Sequence, residues 1–184
     1  MKIVLGTTGA SGAIYAKRII ETLDKNRDLI TDLAVVFTKN AVDVWNYEIE
    51  NFNISQIPFR VYENDNFFVP FASGSSDFKA LIICPASMGT IGKIANSIAD
   101  NLITRTADVM LKENRKLIIV PREMPYNLIH LENMKKLLLA GANICPASPA
   151  FYSKPENLND AVDTVNQKIF QLLNIDLNFY KWMN

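Results

Sequence analysis

Residues 79–105 read KALIICPASMGTIGKIANSIADNLITR, and the order of residue types in this stretch decides the fold. An uninterrupted apolar strand, LIIC at 81–84, runs into a Pro/Ser/Gly/Thr loop and then directly into a helical pattern. That junction puts loop amides and hydroxyls around an anion. A second one opens the chain, with a strand over Met1 to Leu5, the turn GTTGASG at 6–12 and a helix over Ala13 to Leu23. Two such cradles in one small chain point to a phosphate-bearing cofactor.

Strand and helix signals alternate outward from these units. LAVVF at 33–37 is a continuous apolar run of the kind covered on both faces, and a helix follows from Asn40 to about Glu50. Residues 51–78 lack periodicity and are expected to be irregular. After LIIC come helices to about Glu113, strand KLIIV at 116–120, a helix from about Asn127 to Ala140 and a short strand at 143–145. The last helix starts at Leu158, with Leu158, Ala161, Val162, Val165, Ile169 and Leu172 along one face. This alternation predicts an α/β, Rossmann-like (flavodoxin-like) three-layer fold, with a mainly parallel sheet and helices on both faces. Ligands in that class sit beyond the carboxyl ends of the strands. The tetrad Cys-Pro-Ala-Ser occurs at 84–87 and again at 145–148, so two strands leave the sheet alike.

Composition narrows the function. The chain has 184 residues, 49% of them hydrophobic, which reads as one domain over 1–184 with a core of its own. The 19 basic and 19 acidic residues cancel and form no basic block, which argues against a nucleic-acid binder. Cys84, Cys145 and a single histidine do not make a metal set, so no metal is expected. Glycines and the Lys17-Arg18 pair interrupt the opening apolar run, and no later run reaches membrane-spanning length. The expected setting is reduced and cytoplasmic, with no membrane contact. The tail at 174–184 carries Phe179-Tyr-Lys-Trp-Met183 and is expected to dock on a neighbouring subunit.

The first loop is not a dinucleotide fingerprint, because its glycines at 6, 9 and 12 are spaced three and three. Ser11 either caps the following helix or offers a hydroxyl to an anion. Thr38 and the run Ser87 to Thr90 end two further strands and would converge on the same edge. Arg122 and Glu123 follow Pro121 at the exit of KLIIV. An arginine held there suits a phosphate and a neighbouring carboxyl suits proton transfer, though a solvated ion pair is the plainer reading. His130 reads as a packed or interface residue. Trp45, Phe67, Phe68, Phe71 and Tyr152 read as core, lid or subunit contact.

Five segments in order, GTTGASG at 6–12, ASGSS at 72–76, residues 84–113, VPREMPYNLIHLENM at 120–134 and PAFY at 149–152, resemble the flavin prenyltransferases (UbiX-like). The resemblance spans nearly the whole chain. It implies bound FMN, dimethylallyl phosphate as second substrate, and a homo-oligomer, a dodecamer in the family, with active sites between subunits. The implied reaction is metal-independent transfer of the dimethylallyl group to N5 and then C6 of reduced FMN. Its product, prenylated FMN, serves UbiD-like decarboxylases. By resemblance Gly9, Ala10, Ser11, Thr38, Ser87, Met88, Gly89, Thr90 and Arg122 fall on FMN-binding positions. Ser11, Arg105, Lys112, Tyr152 and Lys168 fall on positions for the substrate phosphate, and Glu48 and Glu123 on the acidic catalytic ones, beside Ser11 and Lys112.

Two departures stand out. Phe67 occupies the place of a family tryptophan, and its ring stabilises an allylic cation less well. Lys168 replaces an arginine of some members, keeping charge without the planar fork. The nearest rival, a flavin-dependent cysteine decarboxylase, uses an early histidine, whereas this chain has none before His130. A non-catalytic FMN carrier would not need Lys112, Glu123, Tyr152 and Lys168, and all four are present.

Overall fold

The apolar runs become six strands in one sheet, all parallel, in the order β3-β2-β1-β4-β5-β6. The strands are β1 Lys2–Thr7, β2 Asp32–Phe37, β3 Arg60–Glu63, β4 Phe78–Ala86, β5 Lys116–Pro121 and β6 Asn143–Ile144. The helices are α1 Ala13–Lys25, α2 Lys39–Glu48, α3 Met88–Ala95, α4 Leu102–Lys112, α5 Leu128–Leu139 and α6 Leu158–Leu172. These come from a computed structural model that describes residues 1–177. The aromatic tail at 179–183 and its expected subunit contact lie outside the described residues.

Strand geometry sends successive side chains to opposite faces. Ile3, Leu5, Leu33, Val35, Ile82 and Ile118 meet α1, α2 and α6 on one side. Val4, Ala34, Val36, Leu81, Ile83 and Leu117 meet α3, α4 and α5 on the other. Because both faces are covered, the strands read as continuous apolar runs instead of alternating ones. Each buried Leu or Ile contributes about 1.5–3 kcal/mol to the driving force. The chain starts in the middle of the sheet, winds outward to β3, then returns to β4 on the other side of β1. The loops after β1 and β4 therefore part company at a switch point, where a crevice opens at the carboxyl edge.

Residues 51–78 depart from expectation. They hold β3 and two 3₁₀ turns, at 54–56 and 70–72. The strand Arg60-Val-Tyr-Glu63 pairs only with β2 at the sheet edge, so its ends stay exposed and no apolar run marks it. Phe71 is fully buried and stacks edge-on with Tyr62 and Phe78, each at 5.1 Å. Trp45 is core as well, 5.0 Å from the Phe37 ring. Phe67 and Phe68 are exposed. His130 helps cap α5, its amide donating to Asn127 Oδ1 at 2.9 Å.

Candidate active site

The helices α1 to α4 begin at the carboxyl edge of the sheet, and their first amides meet different fates. The N-terminus of α1 is filled from within. Glu48, the last residue of α2, accepts from the amides of Gly12 and Ala13 at 2.8 Å each. Burial alone would raise the Glu48 carboxyl; bonds from the Ser11 hydroxyl and from those two amides, with the Arg122 charge, outweigh it and hold the group below its ordinary value. The N-terminus of α4 is also closed, since Asn64 takes the amides of Leu102 and Ile103 and Asn101 takes that of Thr104.

Of these four N-termini, those of α2 and α3 stay open. Thr38 caps α2 through the Ala41 amide at 3.1 Å, and Ser87 caps α3 through the Thr90 amide at 3.3 Å. The first two amides of each helix, Lys39 and Asn40 or Met88 and Gly89, have no protein acceptor among the described residues. Both helix starts line a pocket of about 370 Å³ with Thr8, Gly9, Lys39, Gly89 and Lys93. That volume suits a small ligand. The glycines here differ in purpose. A Cβ on Gly9 would lie 2.6 Å from Asn40 Cβ, so the first loop and α2 can approach only because the side chain is missing. A Cβ on Gly89 would meet nothing within 4 Å, so the glycine leaves room in the pocket itself. Converging dipoles, hydroxyls from Thr38, Ser87 and Thr90, and two lysines fit the phosphate of FMN.

The cradle expected at Ser11 is thus occupied by Glu48, and α2 with α3 supplies the open one. Beside it, Arg122 Nε donates to the Ser11 carbonyl at 3.0 Å, and Arg122 Cγ would be 3.7 Å from a Cβ on Gly12. Gly12 has φ +104°, a conformation glycine adopts without strain. Ser11, Glu48 and Arg122 therefore form one polar cluster at the rim. Ala10 is buried in the turn behind it. Glu123 is exposed at the exit of β5, where its carboxylate accepts from the Met124 amide at 3.1 Å.

The residues expected to take the substrate phosphate divide between the two ends of the sheet. Tyr152 and Lys168 share a separate hollow of about 410 Å³ with Cys145, Ser148 and Thr164. Arg105 on α4 donates from Nε to the Ala72 carbonyl at 3.0 Å and pairs with Asp108. Lys112, at the far end of α4, pairs with Glu113 and lies beside Gly74, ahead of β4 at the amino end of the sheet. The segment ASGSS therefore flanks α4 and not the carboxyl edge. Thr8 and Asn64 escape a motif reading, because each acts through a bond to a distant segment, the Pro85–Ser87 loop and the start of α4.

The family model for flavoproteins matches residues 1–170. Flavin prenyltransferase UbiX of Methanocaldococcus jannaschii is 46% identical over 98% of this chain and 97% of its own length. The chain belongs to the UbiX-like flavin prenyltransferases. Among solved members of that family, AnUbiX in complex with FMN and dimethylallyl pyrophosphate superposes with a TM-score of 0.93 at 35% identity, covering 100% of this chain and 97% of that one. A dodecameric FMN-dependent UbiX-like decarboxylase from Escherichia coli O157:H7 gives 0.92 at 33% identity, with full coverage of both.

Proposed function

We propose that this flavin prenyltransferase binds FMN by its phosphate between α2 and α3 and joins the dimethylallyl group of dimethylallyl phosphate to N5 and C6 of the reduced flavin. The observation that carries the reading is the pair of open helix starts on one 370 Å³ pocket, with the Ser11–Glu48–Arg122 cluster on its rim. Bound reduced FMN supplies the nucleophilic nitrogen and carbon. The chain's own residues do the rest. Thr38, Ser87, Met88, Gly89 and Thr90 hold the phosphate, with Gly9 and Ala10 shaping the turn above it. Arg122 and Ser11 orient the flavin from the rim. The Ser11 hydroxyl is bonded to Glu48, so as it accepts a proton from a donor above it, its own proton passes to the Glu48 carboxylate, which becomes the neutral acid. Glu123, exposed and next to Arg122, exchanges a proton with the departing phosphate or during ring closure.

The leaving phosphate needs positive charge, which Arg105, Lys112 and Lys168 supply without a metal ion, and the Tyr152 hydroxyl adds a hydrogen bond. Lys112 lies at the amino end of the sheet in its own chain, so it reaches the flavin of a neighbouring copy. Assembly is supported by the outer face of α5, where Leu128, Ile129, Leu138 and Leu139 are exposed together, Leu139 at 81%. The homo-oligomer is read as a dodecamer like the E. coli neighbour, and its product as a cofactor for a UbiD-like decarboxylase in the cytoplasm. No helix among the described residues is long and apolar enough to cross a membrane.

Anaerobic incubation with reduced FMN and either dimethylallyl phosphate or its pyrophosphate tests this. A flavin heavier by one dimethylallyl unit is expected. Recovery of unmodified FMN, while both ligands demonstrably bind, rejects the reading.

A further inference from the structure

Thr7 ends β1, Thr8 follows it, and both belong to no motif used above except as neighbours of the glycines. Both are sealed from solvent, at 0% and 1% exposure. Their hydroxyls find partners on opposite sides of the sheet. Thr8 Oγ1 donates to the Pro85 carbonyl and accepts from the Ser87 amide, each at 2.8 Å. Its amide reaches the same carbonyl at 3.3 Å. On the other face Thr7 Oγ1 accepts from Trp45 Nε1 at 3.2 Å, inside α2, and the Thr7 carbonyl accepts from the Thr38 amide at 3.0 Å. One residue is therefore tied to the start of α3 and the next to the start of α2.

We propose that Thr7 and Thr8 are positioning residues, which set the two open helix N-termini at the separation and angle that a phosphate needs. The inference rests on the FMN reading and names what makes that pocket rigid. Ser87 and Thr38 are the caps of α3 and α2, so a shift in either backbone amide carries the cap hydroxyl and the free amides behind it. β-Branched threonine holds its hydroxyl in few rotamers, which suits a fixed spacer. The Thr8 hydroxyl has committed its proton to Pro85 and is buried, so it acts through Ser87 and not on the ligand. A pocket loosened by about an ångström loses much of its grip, because binding groups work only within narrow geometric limits.

Thr8→Val keeps shape and removes both bonds, and riboflavin, which lacks the phosphate, is the control ligand. Fluorescence titration of the assembled protein is expected to show FMN affinity falling by about tenfold, with riboflavin affinity little changed. The KM for FMN rises while kcat and the KM for dimethylallyl phosphate hold, and Thr8→Ser restores the wild-type preference. An unaltered FMN-to-riboflavin ratio in Thr8→Val overturns the positioning role. So does a parallel loss for both flavins with a lowered Tm, which marks general destabilisation. If the wild type itself does not prefer FMN, the phosphate pocket falls and this inference with it. Should the valine variant fail to assemble, amide hydrogen exchange in the flavin-free wild type decides. The Ser87 and Thr38 amides must be protected before FMN is added, and rapid exchange overturns the proposal.

Discussion

Glu48 Oε2 lies 2.8 Å from the amide nitrogen of Ala13, so a carboxylate from the end of α2 seals the start of α1. A helix N-terminus at the carboxyl edge is thereby closed to an outside anion. An internal anion is held there instead, with its charge shared among Ser11, Gly12, Ala13 and Arg122. The consequence is a division along one edge: α2 and α3 leave their first amides open, while α1 is closed by a carboxylate.

The first prediction concerns that carboxylate. Its folded-state pKa is depressed, so its contribution to stability is fully present above the unfolded value of about 4.3 and is lost as pH falls through the lower folded value. Glu48→Gln is expected to cost about 1 kcal/mol at neutral pH, a modest figure because solvent screens the pair. The gap between wild type and variant in urea titrations closes on acidification. A gap that widens toward low pH contradicts the depressed pKa.

Gly9 and Gly89 should respond oppositely to the same change. Gly9→Ala pushes a Cβ into Asn40 and is expected to destabilise the fold by about 1–3 kcal/mol. Gly89→Ala meets open space within α3 and should raise Tm slightly, by up to about 1 kcal/mol of stability, while weakening FMN binding. Thermal melts with and without FMN separate the two.

Cys84 is fully buried, and burial pushes its thiol well above the ordinary range; burial also raises Cys145, against a smaller opposing effect of Lys168. Neither should be alkylated in the native protein at pH 8, and both should react once it is unfolded. Mass spectrometry after iodoacetamide treatment checks this, and rapid native labelling of Cys84 contradicts its burial.

Separation of Lys112 from the rim cluster predicts complementation between copies. Mixed assemblies of Lys112→Ala and Arg122→Ala chains should recover part of the activity that each variant lacks alone. Activity no higher than the sum of the separate variants places both residues in the same chain's site.

Glu123→Gln is expected to slow turnover far more than it weakens FMN, because its proton matters most as charge develops. Stopped-flow turnover set against FMN titration distinguishes this from equal losses, which assign Glu123 to cofactor binding.

Local sequence carried the sheet and most of the helices. The runs at 33–37, 81–84 and 116–120 are apolar because both faces of a parallel sheet are covered, and the stripe from Leu158 marks the buried face of α6. β3 stayed hidden since an edge strand with one neighbour keeps Arg60 and Glu63 in solvent. Thr38 and Ser87 were legible as hydroxyls at helix starts on the carboxyl edge, because each directly follows an apolar strand or its exit loop. Glu48 at the start of α1 was not legible as a cap, since it is 36 residues from Gly12 in the chain.

What the sequence determined by itself is therefore periodic and local: which segments bury one face or two, where glycine relieves crowding, and which hydroxyls stand at helix starts. Only the tertiary structure decided which helix starts remain open to an anion. It did so because hydrogen-bond acceptors are supplied across the sheet edge by distant residues, Glu48 to α1 and Asn64 to α4. It also placed Lys112 at the opposite end of the molecule from Arg122, because α4 runs back along the sheet from the carboxyl edge.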